Sequence, residues 1–374
     1  MSNLTRSLWP CIASALLLLA PDPAPAQTAG PIQLQGYGLK IYRVESGLYP
    51  YVHVYFRTFD QSQDPLVNLN ALNIGLMVKG RSYDPRKAQY AIQPLRQRSE
   101  AVRTVIVLDA SKSMAGKPFE DALRAAARFV DSKRTQDQVA VIAVRDTKEG
   151  YQPVSDWSRD SGELGRRLAD VRADGEKSRL YDAIAAAMAL SASAGAASGS
   201  VGSHDYPAST AIVVFSDGKD EGSALSREEL NARISSLEIP VPIFSVAYSR
   251  LPGDDFKNLE SLSKNSFGTY FEVGEATDRM QQVVERIQST LLGDYVVTFR
   301  SYVPVDGERH AFKLGVEFPT GSGRYTYQSG HFEALEPPPV KPVVDQIAEL
   351  SKRLVPLEDQ DPYLPGVGAR PAEH

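Results

Sequence analysis

The sequence predicts an α/β protein: a doubly wound, mostly parallel sheet inserted in, or flanked by, a β-sandwich-like domain. Two observations carry this expectation. Between Arg103 and about Leu292 the runs TVIVLD, QVAVIAV, TAIVVFSD and PIFSVAY are apolar at consecutive positions, with helical periods between them. Strands buried on both faces and alternating with helices have that signature. On either side of this span apolar residues alternate with period two, as in antiparallel strands with one buried face.

Taken in order, residues 1–26 read as a secretory signal peptide. Arg6 precedes an apolar run from Leu8 to Ala20, and Ala24-Pro25-Ala26 supplies the small residues of a cleavage site, leaving Gln27 as the first mature residue. The run is too short to cross a hydrocarbon core about 30 Å thick comfortably. Cys11 lies inside it and is the only cysteine. The mature chain is therefore expected to lack disulfides, cysteine nucleophiles and cysteine-ligated zinc. A formal charge of -5 with no basic block argues against nucleic acid as a partner. No later segment reads as transmembrane, so the expected location is outside the cytoplasm, periplasmic or secreted.

Residues 27–100 form an N-terminal β segment, in which Val52, Val54 and Phe56 alternate and Leu72, Ile74, Leu76 and Val78 do the same. Residues 101–292 form the α/β domain. Its first helix is marked by the stripe Phe119, Ala122, Leu123, Ala126, Phe129 and Val130, with Pro118 in the first turn. Leu180, Ile184, Ala187 and Met188 mark a second helix, and Met280, Val283, Val284, Ile287 and Leu291 a third. Residues 293–335 return to strands: Tyr295, Val297 and Phe299, then Phe312, Leu314, Val316 and Phe318, with turns at Asp306-Gly307 and at GSG 321–323.

A single hairpin is barely stable alone. The two β flanks are therefore expected to pair into one sandwich with the α/β domain inserted between them; two separate small β units are the rival arrangement. SASAGAASGSVGSHDYP, 191–207, reads as a flexible loop. Residues 336–374 begin with the stiff linker EPPPVKP and continue with Val343, Ile347, Leu350 and Leu354 at helical spacing. That helix either docks on its own domain or packs on a partner.

The chemistry is concentrated at strand ends. In VIVLDASKSMAG, 105–116, an apolar strand ends on Asp109 and is followed by Ser111 and Ser113. Asp217 ends another strand in VVFSDGKDEG, and Ser178 precedes a helix in GEKSRLYDAI. Ligands of doubly wound sheets bind outside the carboxyl ends of the strands. Three loops thus bring two carboxylates and three hydroxyls to one rim. This all-oxygen set selects Mg²⁺, Mn²⁺ or Ca²⁺ over zinc or copper. It leaves such an ion short of its usual six or so oxygens, so water or a partner's carboxylate must complete the shell.

The DxSxS of Asp109, Ser111 and Ser113, the SRLYDAI segment and the SDGKD around Asp217 together resemble a von Willebrand factor A domain of the kind found in secreted bacterial proteins. The resemblance spans about residues 100–292. It implies a metal-ion-dependent adhesion site in which Ser111 and Ser113 bind Mg²⁺ or Mn²⁺ directly. Ser178 stands where the family usually has threonine, and Asp109 and Asp217 act through water. Lys112 stands where the family often has glycine, placing a cation close to the expected ion. Lys112 and Gly218 would border the partner-facing rim. The implied partner is a protein presenting an aspartate or glutamate.

Each residue also has a purely structural reading. Asp109 could cap the helix that follows it, and Asp217-Gly218 could be an ordinary turn. A scaffold in which the metal only rigidifies the rim, a glycan-binding surface built on exposed tyrosines, and a metal-dependent hydrolase are the alternative functions. The hydrolase has the least support. None of His53, His204, His310, His331 or His374 lies near the DxSxS segment in sequence, and GxSxG, HExxH, Walker and GxGxxG motifs are missing.

Overall fold

The computed structural model describes residues 37–193, 206–237, 241–248, 254–274 and 277–357. The expected signal peptide and most of the 191–207 segment lie outside these residues, as does the end of the tail. Among the described residues no helix is long and apolar enough to cross a membrane.

Strands β6 (Ala101–Asp109), β7 (Gln138–Val144), β8 (Tyr151–Ser158), β9 (Pro207–Ser216), β10 (Ile243–Ala247) and β11 (Tyr270–Glu272) form one sheet in the order β11-β10-β9-β6-β7-β8. All neighbouring pairs are parallel except β7–β8. Helices α1 (Lys117–Ser132), α2 (Ser161–Ala169) and α6 (Thr277–Leu292) cover one face, and α3 (Leu180–Ser193), α4 (Arg227–Ser236) and α5 (Phe256–Asn265) the other. Alternate residues of β6 divide between the two cores, Ile106 and Leu108 with α1, α2 and α6, Val105 and Val107 with α3, α4 and α5. Burial on both sides is why these strands read as unbroken apolar runs. The chain goes from β6 to β7 on one side of the sheet and places β9 on the other side of β6, so the strand order reverses between β6 and β9.

The flanks form two four-stranded antiparallel sheets. One has the order β1 (Tyr37–Leu48), β2 (Tyr51–Asp60), β12 (Tyr295–Arg300), β5 (Tyr90–Pro94). The other has the order β14 (Tyr325–Glu333), β13 (Arg309–Glu317), β3 (Ile74–Val78), β4 (Arg81–Ser82). A single core joins them, with Val52, Val54 and Phe56 of β2 packed alongside Leu76, Phe299, Phe312, Leu314 and Phe332. Each sheet therefore mixes strands from before and after the α/β insertion, and β12 takes a central place between β2 and β5. Helix α7 (Lys341–Ser351) packs beside β1: Val343 and Leu354 are buried in the core that Leu48, Tyr51 and Tyr55 share with α1 and α6, and Ile347 and Leu350 pack against that core.

Some expectations change in detail. Leu72 does not continue the strand of Ile74, Leu76 and Val78 that the alternation predicts: it sits in a 3₁₀ turn, Ala71–Asn73, and is 48% exposed. Asn70 and Asn73 form a reciprocal capping box there, so the strand starts only at Ile74. Phe318 lies beyond the end of β13, where Pro319 has no amide to extend the ladder, and it is 39% exposed.

The larger difference is β2, where the alternation in sequence suggested one exposed face. Both faces are buried. Val52, Val54 and Phe56 enter the sandwich core, while Tyr51 and Tyr55 enter the core shared with α1 and α6. His53, on the same face as these tyrosines, is only 3% exposed. Its Nδ1 has no hydrogen-bond partner. Burial first, and then the charge of Arg98, push its pKa down to about 3 from an ordinary 6.5.

The imidazole is therefore neutral in the folded protein and titrates normally once unfolded. Because the unfolded state binds the extra proton, stability is complete above about pH 6.5 and declines as pH falls toward about 3, at roughly 1.4 kcal/mol per pH unit. Urea unfolding at pH 7 and pH 5 should show His53→Gln losing about 2 kcal/mol less than the wild type over that interval. Equal losses would mean that His53 is protonated in the native sandwich.

Candidate functional site

Asp109 is the last residue of β6, and Ser216 is the last of β9, the neighbouring strand. Their loops therefore leave the sheet side by side at the point where the strand order reverses, the crevice in which doubly wound sheets bind ligands. The Asp109 carboxylate is fully buried. One oxygen, Oδ1, accepts the Ser111 amide at 3.1 Å, and the other, Oδ2, accepts the Ser216 hydroxyl at 2.6 Å and the Ser178 hydroxyl at 3.4 Å. In front of it the Ser111 and Ser113 hydroxyls lie 3.0 Å apart, Ser111 buried and Ser113 exposed.

The loops are held by backbone as well as side chains. Ser111 bridges to Gly175, the Lys112 amide donates to the Gly175 carbonyl at 2.7 Å, and the Gly175 amide donates to the Ala110 carbonyl at 3.1 Å. The segment before α3 is tied to the segment after β9. Glu221 donates its amide to the Ser178 carbonyl at 2.7 Å, and Asp220 Oδ1 accepts the Tyr181 amide at 3.2 Å. These contacts set where Ser178 meets Asp109.

Four of the five expected site residues, Asp109, Ser111, Ser113 and Ser178, are linked by hydrogen bonds. Asp217 joins them electrostatically. Burial first, and then the Asp217 charge, raise the Asp109 pKa to about 6, while hydrogen bonds from Ser216 and Ser111 pull it down. Asp217 Oδ1 accepts the Lys219 amide at 3.1 Å.

Lys112 does not turn inward. Its ammonium lies 3.4 Å from Glu176 at the exposed surface. Gly218, expected at the partner-facing rim, is buried. Its φ is +82°, and a Cβ there would sit 2.5 Å from the Asp255 carbonyl oxygen, so glycine is required for the chain to pass. Ser216 was missed from sequence, although it makes the shortest hydrogen bond to Asp109. The available signal was a hydroxyl beside Asp217 at the end of an otherwise apolar strand.

Among the described residues no three His, Cys, Asp or Glu side chains come together as a metal cluster. The donors gathered here are instead hydroxyls backed by carboxylates, all of them hard oxygens. This set fits a small divalent cation, whose charge would offset the repulsion between Asp109 and Asp217. The described histidines lie elsewhere, with His53, His310 and His331 on β2, β13 and β14.

Residues 104–219 match the family model described as von Willebrand factor type A domain. This stretch is a von Willebrand factor type A domain. Among solved structures the chain is similar to the von Willebrand factor A domain of SpRpn10, at 14% identity and a TM-score of 0.38 over 50% of this chain and 94% of that one. It is also similar to the von Willebrand factor domain of the type V pili tip protein Mfa5 from Porphyromonas gingivalis, at 12% identity and a TM-score of 0.35 over 51% and 95% of the two chains. The three N-terminal domains of the same pili tip protein align at 11% identity and a TM-score of 0.28, over 79% of this chain and 76% of that one. No curated protein matches the chain.

The A domain's rim yields a test that needs no metal. Ser216→Ala removes a hydrogen bond to a buried carboxylate and should cost about 1–3 kcal/mol in urea unfolding of the cation-free protein. Gly218→Ala should cost at least as much, through the clash with Asp255 and the left-handed φ. Unchanged midpoints would show that neither contact holds the rim.

Proposed function

We propose that the protein is an exported, non-enzymatic binding protein that engages an acidic residue of a protein partner through a divalent cation. The ion, Mg²⁺ or Mn²⁺ with Ca²⁺ as a further candidate, would be held at Asp109, Ser111, Ser113, Ser178 and Asp217. The observation that carries the reading is the pair of hydroxyls, Ser111 and Ser113, 3.0 Å apart and backed by a buried carboxylate at the strand reversal. Ser111 and Ser113 would be direct ligands. Ser178 and Ser216 orient the Asp109 carboxylate by donating to Oδ2, and Asp217 adds the second negative charge.

A cation bound there supplies a positive charge with coordination left open for a carboxylate oxygen. Ser113, exposed at the front of the rim, is the residue nearest such an incoming group in this reading. Export is supported by the leader-like residues 1–26. The tyrosines of YPYVHVY give no support to the glycan reading, since Tyr49, Tyr51 and Tyr55 are at most 2% exposed.

The test is chelator-reversible capture. A protein retained from the exported fraction in millimolar Mg²⁺ should be released by EDTA and lost at least tenfold with Ser113→Ala or Asp217→Asn. It should also be lost when the partner's contacting Asp or Glu becomes Asn or Gln. Retention that EDTA and all three changes leave intact would overturn the proposal.

A further inference from the structure

A cavity of about 470 Å³ lies at the opposite end of the A domain from Asp109. It opens between β1 of the sandwich and the amino-terminal ends of the parallel strands, where Ser209 lies near the start of β9, two residues after Pro207, and Val241 precedes β10. Its size is that of a small-molecule site. Met188, Leu237, Val241 and Phe59 give it an apolar wall.

Three features set it apart from a packing gap. The first is a buried polar group with nothing to bond: Ser209 is 7% exposed, and its Oγ has no hydrogen-bond partner. Such a hydroxyl costs stability unless something else meets it.

The second is an unmatched charge. Three cations line the cavity, and two are neutralised, Arg57 by a two-pronged contact with Asp294 and Arg43 by Glu45 at 2.7 Å. Lys40 makes no ion pair among the described residues. Its ammonium lies 4.8 Å from the centre of the Phe267 ring.

The third is strain under that same lysine. Phe267 follows α5 with φ +59°, and the bonds from Phe267 N to Lys264 O and from Gly268 N to Ser263 O form a Schellman motif around it. Glycine is the usual occupant of this position, because a side chain there is strained. Phe267 does not offset that strain by burial, since it is 46% exposed. A costly backbone conformation that presents an aromatic ring at a cavity rim points to a ligand.

We infer that this cavity binds an amphipathic monocarboxylate, with its apolar body along Met188, Leu237 and Val241 and its carboxylate paired with Lys40. The one lining cation without an ion pair among the described residues, Lys40, sets one negative charge on the ligand, and the apolar wall sets an acyl or similarly apolar body. A carboxylate is also a group whose oxygens accept from the Ser209 hydroxyl. The site is independent of the metal rim, because it uses other residues at the other end of the sheet.

Calorimetric titration of the full chain with sodium decanoate tests this, with decan-1-ol and decyltrimethylammonium as comparisons. The expected result is one decanoate per chain, at least tenfold weaker decanol binding and no uptake of the cationic analogue. Lys40→Gln should weaken decanoate at least tenfold. Ser209→Leu, which fills the cavity and removes the unmet hydroxyl, should abolish binding while raising the melting temperature. Phe267→Gly should likewise raise the melting temperature and weaken decanoate binding. No saturable uptake would overturn the inference. So would binding that Lys40→Gln and Ser209→Leu leave within twofold of the wild type.

Discussion

The Arg57 guanidinium and the Asp294 carboxylate meet in a buried two-pronged contact, at 2.8 and 2.9 Å, where the chain leaves α6 and begins β12. β12 pairs with β2 and β5, so the sandwich sheet is complete only after the whole A domain has been made and its last helix has returned the chain to this point. A buried ion pair adds little net stability, but separating its partners costs about 3–5 kcal/mol. The pair therefore penalises any register in which Asp294 is not beside Arg57. With Asp294 fixed, Tyr295 falls opposite Phe56 and Phe299 opposite Val52, and the core closes. The outgoing crossing is pinned as well. Arg134 donates to the carbonyls of Leu95, Arg98 and Glu100, and Asp137 accepts the Val102 amide.

This double anchoring ties the A domain to the sandwich at one end and leaves the Asp109 rim at the far end. The sheet carries Asp109 and Ser216 to adjacent strand ends, and the loops are then fixed by backbone bonds to Gly175 and by the ties between 178–181 and 220–221. The result is a buried carboxylate whose hydrogen-bond donors are already in place and whose neighbour repels it. A site in that condition is set up for positive charge. Preformed donors lower the cost of binding, since little ordering is left to do when the ligand arrives.

Much of this was legible in the sequence. Doubly buried strands wrote themselves as apolar runs, and three oxygen-bearing loops in order at strand ends marked the rim. The illegible parts have physical reasons. The second buried face of β2 carries Tyr51, His53, Tyr55 and Arg57, residue types that usually meet water; here Tyr51 and Tyr55 bury their rings in the core shared with the A domain, Tyr55 donates to Glu100 and Arg57 to Asp294, and His53 stays neutral. Edge strand β8, YQPVSDWS, contains a proline and polar residues at most positions, because an antiparallel edge needs neither full burial nor a complete ladder. Ser216 was hidden because a serine closing an apolar strand is ordinary until its neighbour across the sheet is known to be Asp109. Phe267 could not be found at all, since its left-handed backbone has no signature in a phenylalanine.

The central claim is that the rim of Asp109, Ser111, Ser113, Ser178 and Asp217 holds a divalent cation. Calorimetric titration of Mg²⁺ and Mn²⁺ into the metal-stripped protein, beside an Asp109→Ala, Ser111→Ala double variant, tests it most directly. The expected result is saturable binding of one ion per chain that the double variant loses while remaining folded. Absence of binding in the wild type, or equal binding by the two proteins, would contradict it.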